Sequence, residues 1–254
     1  METGAITQYV DVAQLVLYVF WAFFAGIIYY LLRENHREGY PMDPGRPNGP
    51  KIDGWPAVPD PVTYKTMDGH EFKSPDLARP DGDYSARPSH PWNGAPLDPV
   101  GDPLLAGVGP GAWAKRADVP DMTYDGHVKI VPLRVADDHG VATRDVDPRG
   151  LSVVGADNQA AGVVVDLWVD KAEMMFRYLE VKLHGSNKQV LVPMTFARIT
   201  RNQVKVHALM GHQFTNVPST KLPEQVTFLE EEKICAYFGA GTLYAHPNRM
   251  EPLL

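Results

Sequence analysis

The feature that most constrains this chain is an uninterrupted apolar run near its start, from Val12 to Leu32. The run is 21 residues long, and Gln14 is its only strongly polar side chain. At ~1.5 Å per residue, a helix of this length spans ~31 Å, close to the thickness of a bilayer's hydrocarbon core. Apolar side chains would cover such a helix on every side, and in lipid a helix satisfies its own backbone groups. The run therefore predicts a single transmembrane helix.

The residues on either side of this run predict its orientation. No Lys or Arg precedes it, whereas Arg33 and Arg37 follow it closely. Basic residues favour the cytoplasmic side of a membrane, so we expect residues 1–11 outside and the rest of the chain inside. Tyr29 and Tyr30 lie near the cytoplasmic end of the run. Amphipathic rings favour the headgroup layer, so we predict that both are lipid-interface residues. A cleaved secretory signal is the alternative, but the run is too long and no basic region precedes it.

The net charge and the cysteine content restrict which partners and which cellular compartment are expected for this chain. The formal net charge is −7, which argues against nucleic acid as a partner because phosphate binding needs a basic surface. The single cysteine, Cys235, cannot form a disulfide within the chain, in keeping with a reducing compartment.

A stretch rich in proline and glycine follows the apolar run. Residues 41–110 hold 15 of the 23 prolines and 9 of the 22 glycines. Such a stretch cannot bury a regular core by itself, so it is either a disordered linker or an irregular strap laid on another surface. Large apolar residues recur along it, which favours a strap over residues 33–115. Within it, VTYKT and EFK on either side of Asp68-Gly69 predict a short hairpin.

From about His127 the pattern changes to short strands separated by turn residues. The segments with strand character are 127–135, 151–155, 163–169, 176–183, 189–194, 196–200 and 203–209. In the third of them, alternation places Val165 and Leu167 on one face, with Asp166 and Trp168 on the other. Short strands in sequence with tight turns predict a small, mostly antiparallel barrel or sandwich.

One helix is predicted after the strands. The segment from Glu224 to Tyr237 carries apolar residues at helical spacing, and Gly239 and Gly241 are expected to close the helix. The domain is therefore predicted to cover residues 116–245, with an irregular tail at 246–254.

The chain lacks the common catalytic motifs. It has no P-loop, no Rossmann glycine fingerprint, no nucleophile elbow and no paired zincin histidines. The triplet Asp137-Asp138-His139 is typical of a solvated turn, since adjacent residues rarely point at one metal. Asp125 and His127 alternate at the start of a predicted strand and so share a face. They could be a proton-exchanging pair, half a metal site, or a wet strand edge.

Four further charged residues lie at predicted turns or at the start of the predicted helix. Asp170 and Glu173 flank the turn between two predicted core strands, and Arg177 follows within reach of either. Glu224 opens the predicted helix. By pattern alone these residues form a solvated acidic turn. Beside a site that consumes protons, carboxylates that lie close together could instead capture protons and pass them inward.

Several segments together resemble the H-subunit family of the photosynthetic reaction centre of purple bacteria. The matching segments are DVAQLVLYVFWAFFAGIIYYLLRENHREGYP at 11–41, GDPLLAGVGPGAW at 101–113, VVVDLWVD at 163–170, YLEVKL at 178–183 and EQVTFLEEEKICAYFGAGTLYA at 224–245. The resemblance covers essentially the whole chain. It implies a single transmembrane α-helix joined to a mainly β cytoplasmic domain, a small antiparallel PRC-type barrel, with one C-terminal helix.

The resemblance also implies a role. An H subunit holds no pigment and no catalytic site of its own. It caps the cytoplasmic face of the L and M subunits in the bacterial inner (chromatophore) membrane, with its N-terminus periplasmic. The L and M subunits carry bacteriochlorophyll, bacteriopheophytin, quinones, non-haem iron and carotenoid. Further implied partners are the core light-harvesting antenna ring and membrane lipids. The alternative function is a membrane-anchored adaptor or enzyme whose barrel is unrelated to photosynthesis.

The family's cap shields the quinone sites and contributes to proton uptake toward the secondary quinone. Two histidines and an Asp form its surface site, with an acidic cluster inside. His127 matches one of those histidines, while Asp125 stands in place of the other and Thr123 in place of the Asp. The substitution leaves a group that can exchange protons, and it leaves open whether the pair binds a transition metal. The residues that match the inner cluster are Asp170, Glu173, Arg177 and Glu224.

Overall fold

The computed structural model describes residues 4–7, 11–42, 50–67, 69–76, 84–92 and 94–250. They divide into two compact units, each described here by itself. The N-terminal unit comprises the described residues within 1–81 and 90–96. The barrel unit comprises those within 82–89 and 97–254.

The predicted transmembrane segment forms one helix, α1 (Val12–Asn35). Asp11 caps its start, since the carboxylate accepts a 2.7 Å hydrogen bond from the Gln14 amide. No residue of α1 is buried within the chain, although the most apolar part of the helix has a mean hydropathy of 2.2. Among the described residues, this is the one helix long and apolar enough to cross a membrane. The helix continues past its predicted end through the polar residues 33–35, and stops before Gly39, whose φ is +75°.

The predicted hairpin is present in the N-terminal unit. Strands β1 (Val62–Lys65) and β2 (Glu71–Ser74) pair antiparallel, with Tyr64 opposite Phe72. The two rings stack with centroids 5.4 Å apart. Asp68 of the predicted turn lies outside the described residues.

The irregular segment before this hairpin is attached to the end of α1. The Arg37 guanidinium donates 2.9 Å hydrogen bonds to the carbonyl oxygens of Asp60 and Ser74. Just beside it, the ring of His36 stacks on that of Tyr40 with centroids 3.9 Å apart. The Arg37 hydrogen bonds join two points of the proline-rich stretch to the end of α1.

The barrel unit contains a two-stranded ribbon and one seven-stranded sheet. The ribbon consists of β3 (Ala86–Pro88) and β4 (Leu97–Pro99). The strands of the sheet are β5 (Ile130–Pro132), β6 (Ser152–Val154), β7 (Ala160–Asp170), β8 (Met175–Leu183), β9 (Gln189–Pro193), β10 (Ala197–Ile199) and β11 (Gln203–Val206).

The order of the sheet explains its curvature. The strands run β10-β11-β6-β7-β8-β9, and β5 also pairs with β7. Neighbours are antiparallel except β11 and β6, which run parallel. The strands β6 and β5 occupy successive parts of one edge of the long strand β7, so the sheet curls into a half-barrel. The prediction of a mainly β, mostly antiparallel barrel is confirmed.

A β-bulge interrupts the alternation predicted for β7. The pairing of β7 with β8 shifts register between Val164 and Asp166. The extra residue, Val165, is exposed, whereas Leu167 is buried. The prediction that these two side chains share a face is therefore wrong, because a bulge changes the face to which the following residues point. The strand predicted at 127–135 is likewise shorter, since residues 133–135 form a 3-10 turn after β5.

One apolar core fills the barrel unit. Its largest fully buried side chains are Trp168, Tyr237, Phe214, Phe238, Leu167, Leu179, Leu209 and Ile234. They come from β7, β8, the segment after β11, and the helix α2 (Phe228–Tyr244). The predicted C-terminal helix is thus present and packs on the core of the sheet.

The start of α2 differs from its predicted position. Thr227 caps the helix and forms a capping box with Glu230, whose carboxylate accepts a hydrogen bond from the Thr227 amide at 2.9 Å. This reciprocal cap fixes the first turn at Phe228. Glu224 therefore does not open the helix, but lies in the turn before it.

The end of α2 differs as well, because its glycines do not close the helix. The helix continues through Gly239 and Gly241 to Tyr244. A β-carbon on Gly239 would lie 2.5 Å from the Pro110 carbonyl oxygen. One on Gly241 would meet the carbonyl oxygen of Ala208 at an equally short distance. These glycines allow neighbouring backbone to approach the helix, rather than ending it.

Candidate functional site

One cavity of the barrel unit is lined mostly by charged side chains. It has a volume of about 340 Å³ and lies between the end of β7, the start of β8 and the first half of α2. Its acidic side chains are Asp121, Asp170, Glu231 and Glu232, and its basic side chains are Arg116, Lys129 and Arg177. We call this cavity the acid pocket.

Asp170, at the end of β7, is fully buried although it carries a carboxylate. Its Oδ1 accepts hydrogen bonds from the backbone amides of Ala172 at 3.1 Å and Glu173 at 3.0 Å. Its Oδ2 has no hydrogen-bond partner in the described part of the chain, and Lys129 Nζ lies 3.6 Å from it. A buried carboxylate oxygen with free acceptor capacity beside a cavity can accept a proton or a water molecule.

Lys129 links two acids of the pocket. Its Nζ lies 3.2 Å from Asp121 Oδ2 and 3.6 Å from Asp170 Oδ2. The hydrogen bond to Asp121 raises the pKa of Lys129 above its usual value, and the charge of Asp170 acts in the same direction. Lys129 is therefore a permanent cation at neutral pH, and it attracts both carboxylates.

A hydrogen-bonded pair, Tyr178 and Glu231, forms another wall of the pocket. The Tyr178 hydroxyl donates a 2.6 Å hydrogen bond to Glu231 Oε2. Burial raises the pKa of Glu231, although this hydrogen bond and the charge of Arg177 oppose the change. Burial, followed by the charge of Glu231, raises the pKa of Tyr178 so far that the phenol stays protonated. Glu231 is thus a carboxyl group that holds its proton to higher pH than an exposed one.

The structure brings together two of the four residues predicted for the inner cluster. Asp170 and Arg177 both line the acid pocket. Glu173 is exposed on the turn after β7 and approaches Asp170 through its backbone amide. Glu224 is exposed in the turn before α2 and does not line the pocket.

The sequence pattern missed Asp121, Lys129 and Glu231. Asp121 and Lys129 are eight positions apart, and only the turn between them brings their side chains together. Glu231 did carry a signal, because it belongs to the acidic run 230–232 of a helix. Three consecutive helical residues point in different directions, so at least one of these acids had to turn toward the packed side.

Asp125 and His127 lie at the tip of a turn rather than in a strand. The turn is closed by an isolated β-bridge between Met122 and Val128. Gly126, between the two candidate residues, has a φ of +79°. The prediction that these residues begin a strand is therefore wrong, and the strand alternation from which a shared face was expected is absent here. Both residues are exposed.

Metal ligation finds little support in the described part of the chain. No group of three or more His, Cys, Asp or Glu side chains is placed there to hold a metal ion. In the predicted solvated turn, His139 Nδ1 lies 2.7 Å from Asp138 Oδ1, while Asp137 and Asp138 are exposed. This is a local hydrogen bond between neighbours.

A second buried charge cluster lies on the same two strands as the acid pocket. Asp166 on β7 is 6% exposed and Glu180 on β8 is 4% exposed. Arg134 Nη1 lies 3.1 Å from Asp166 Oδ2 and 2.6 Å from Glu180 Oε2. The Trp168 indole donates a 2.9 Å hydrogen bond to the same Glu180 oxygen. Each carboxylate has a charged partner, so the cluster is suited to holding strands together.

The predicted lipid-interface residues lie in the last third of α1. Tyr29 and Tyr30 are both exposed. The ring of Tyr29 contacts that of Trp55 from the strap, with centroids 6.0 Å apart.

Comparison with known protein families gives two matches, which follow one another along the chain and end before α2. A family model described as photosynthetic reaction centre, H-chain N-terminal region, matches residues 4–135, which is just over half of the chain. The PRC-barrel domain matches residues 142–213. The first match includes α1, the strap and β5, and the second includes β6 to β11.

Proposed function

The chain belongs to the H-chain family of photosynthetic reaction centres, and we propose that it caps the cytoplasmic face of the L and M subunits and supports proton uptake to the secondary quinone. Membership makes it a non-pigmented subunit of a membrane-bound bacterial reaction centre, associated with L and M. The single candidate span among its described residues fits a single-pass protein.

The proposed arrangement follows from the charges around the span. Because Arg33 and Arg37 come after it, residues 1–11 are periplasmic and the strap and barrel domain, at 33–115 and 116–245, are cytoplasmic. Bacteriochlorophyll, bacteriopheophytin, quinones, non-haem iron and carotenoid then stay on L and M. Lipids and the antenna ring surround α1, whose side chains are unburied within the chain.

The observation that carries the proton-uptake role is the buried carboxylate of Asp170 on the wall of a cavity. Burying an ionised carboxylate is costly unless its charge is neutralised. Here one oxygen accepts two backbone hydrogen bonds, while the other keeps free acceptor capacity 3.6 Å from Lys129. A carboxylate so placed is held in position by its turn, and its free oxygen can accept a hydrogen bond from water in the cavity.

The acid pocket also connects this buried group to acids that meet solvent. The side chain of Asp121 is 31% exposed, and Lys129 lies within 4 Å of both Asp121 and Asp170. In this proposal, protons taken up at Asp121 pass to Asp170 through water in a cavity of about 340 Å³ that both carboxylates line, and the half-buried Glu231 lines the same cavity. Asp125 and His127, exposed on the turn that carries Asp121 and Lys129, serve as the outer proton-exchanging groups in this proposal.

The double variant Asp170→Asn with Glu173→Gln tests the role in the assembled reaction centre. The Asn side chain keeps an oxygen that can accept the two amide hydrogen bonds of the turn, but it cannot carry a proton. We expect the proton-coupled second electron transfer to the secondary quinone to slow by at least about tenfold, a barrier increase of about 1.4 kcal/mol. The first transfer should be less affected. Flash-induced absorbance changes measure both steps.

A matched control replaces two exposed acids outside the pocket, Asp137→Asn with Asp145→Asn. It removes the same number of carboxylates and should leave both transfers at the wild-type rate. An unchanged second transfer in the Asp170 and Glu173 variant, or an equal slowing in the control, would remove the proton-relay role.

A further inference from the structure

The strap carries a large aromatic side chain that its own unit does not cover. Trp55 is 78% exposed, although its ring contacts Tyr29 of α1 at a centroid distance of 6.0 Å. The indole has an apolar body and a polar N–H group, so an exposed tryptophan is suited to a boundary between apolar and aqueous surroundings.

The loop that holds Trp55 is fixed against the end of α1. Gly54 has a φ of +75°, and a β-carbon there would lie 3.0 Å from Tyr40 Cε1 and 3.4 Å from His36 Cε1. The loop therefore packs directly on the stacked rings of these two residues. Arg37 holds the same segment further along, through its hydrogen bond to the Asp60 carbonyl oxygen.

The contact with Tyr29 sets the depth of Trp55 along the helix axis. Tyr29 precedes Arg33, the first basic residue after the apolar run, by four positions. At ~1.5 Å per residue, the Tyr29 backbone lies ~6 Å along the helix axis from that of Arg33, toward the apolar run. The chain thus reaches out to Asn35 and returns to place Trp55 beside the apolar end of the span.

We propose that Trp55 is a lipid-interface anchor, and that the strap around it lies in the headgroup layer of the bilayer next to Tyr29 and Tyr30. Indole and phenol rings favour the boundary where one end meets hydrocarbon and the other meets water. The surface is continuous with the unburied apolar side of α1, which makes phospholipid its occupant. The inference rests on the membrane location in the proposed function, and is independent of the proton-uptake role.

Depth-resolved fluorescence quenching tests the anchor, with the native tryptophan as the probe. The full-length chain is placed in phospholipid nanodiscs whose acyl chains are brominated either near the headgroup or near the bilayer centre, and the wild type is compared with Trp55→Phe. Trp55 is largely exposed, so this variant keeps the fold. We expect the emission lost in Trp55→Phe to be quenched by the brominated lipid and protected from aqueous iodide. The emission difference between wild type and Trp55→Phe, measured in the assembled reaction centre, should show the same quenching by lipid.

Trp21, within α1, is the positive control for the span itself. If emission lost in Trp21→Phe is quenched by lipid while that of Trp55 is quenched by iodide, the anchor is wrong and the membrane span stands. If Trp55 is quenched by lipid in the isolated chain but not in the complex, a partner subunit covers it, and the anchor is again wrong. If Trp21 also escapes lipid quenching, the membrane location fails and the anchor fails with it.

Discussion

At the scale of single residues, the barrel unit holds two kinds of buried carboxylate. Asp166 and Glu180 share the guanidinium of Arg134, at 3.1 and 2.6 Å, and Glu180 also accepts the Trp168 indole hydrogen bond. Asp170 instead keeps one oxygen without a hydrogen bond in the described chain. All three carboxylates have a cation within 4 Å, but Asp170 combines its cation, Lys129, with an oxygen that lacks a hydrogen bond, and it lines the acid pocket. A satisfied pair suits strand pairing, whereas an unsatisfied oxygen suits proton exchange.

The Arg134 cluster predicts a large effect of one substitution. Arg134→Met keeps the apolar stem but leaves two buried carboxylates without their cation, a change that typically costs about 3–5 kcal/mol for a fully buried pair. Because the Arg134 side chain is 37% exposed, we expect a smaller loss in the free energy of unfolding, about 2–4 kcal/mol. Chemical denaturation of the full-length chain in detergent measures it.

Arg149→Met is the matched control for that experiment. Arg149 pairs with Asp147 at 2.6 Å, but both side chains are more than 40% exposed. Exposed pairs of this kind contribute at most about 1 kcal/mol. Equal losses in the two variants would show that the buried cluster is no more important than a surface ion pair.

Glu231 predicts a pH-dependent stability. Burial raises its pKa in the folded chain, so the stability provided by the neutral acid is complete below the usual pKa of about 4.3 and is lost as pH rises through the folded value. Glu231→Gln removes that loss, and its amide oxygen can still accept the Tyr178 hydrogen bond. The variant should therefore unfold with a higher free energy than wild type near neutral pH. Its advantage should shrink as pH falls toward about 4. Denaturation of the isolated wild-type and Glu231→Gln chains between neutral pH and pH about 4 measures this difference. If the stability gained by Glu231→Gln grows as the pH falls, the raised pKa of Glu231 is contradicted.

The residues of the acid pocket show what a single sequence can and cannot reveal about a site. Asp170 and Arg177 were found because they lie near one turn, within reach of each other along the chain. Lys129 and Asp121 were missed because their role depends on β5 pairing with the far end of β7. Glu224 was included because it matches the inner cluster implied by the resemblance, and the structure places it in the turn before α2, outside the acid pocket.

At the scale of elements, the glycines of α2 show how packing overrides local rules. Glycine costs about 1 kcal/mol relative to alanine within a helix, so a sequence pattern assigns it to the helix end. In α2, however, the Ala208 carbonyl oxygen and the Leu209 side chain lie within 2.6 Å of the point that a β-carbon on Gly241 would occupy. Glycine is suited to this position despite its lower helix propensity, because a β-carbon would overlap the neighbouring backbone.

Gly241→Ala is therefore expected to lower the free energy of unfolding, whereas helix propensity alone predicts an increase. The added methyl should meet the Ala208 carbonyl oxygen and lower the free energy of unfolding by about 1–3 kcal/mol, despite the gain in propensity. Gly140→Ala is the control, because a β-carbon there meets nothing within 4 Å and its change should stay within about 0.5 kcal/mol. A stabilised Gly241→Ala chain, measured by the same denaturation, would contradict the packing role.

The strands of the seven-stranded sheet were predictable in place but not in register, and the ribbon of β3 and β4 was not predicted. Periods of two residues identify strands β6 to β11 within a few positions. The bulge at Val165 leaves no mark in the alternation, since valine is equally suited to a regular strand position. The parallel pairing of β11 with β6 depends on residues about 50 positions apart, which no local pattern encodes.

At the scale of the whole molecule, two different solvents explain the division of the chain. An apolar helix with no buried residue suits lipid, and a barrel with a dry core suits water. The apolar run Val12–Leu32 predicted the first, and alternation predicted the second. The proline-rich stretch between them could be placed only as a strap or a linker, because its order depends on contacts such as Arg37 with Asp60 rather than on any period.

The central claim is that acids of this subunit deliver protons to the secondary quinone of the reaction centre. The most direct test follows proton uptake with a pH-indicator dye after the second flash, in complexes carrying Asp170→Asn with Glu173→Gln. Proton uptake and the second electron transfer should slow by the same factor, while the Asp137→Asn with Asp145→Asn complex keeps the wild-type rate of both. Proton uptake at the wild-type rate in the Asp170 and Glu173 variant would contradict the claim.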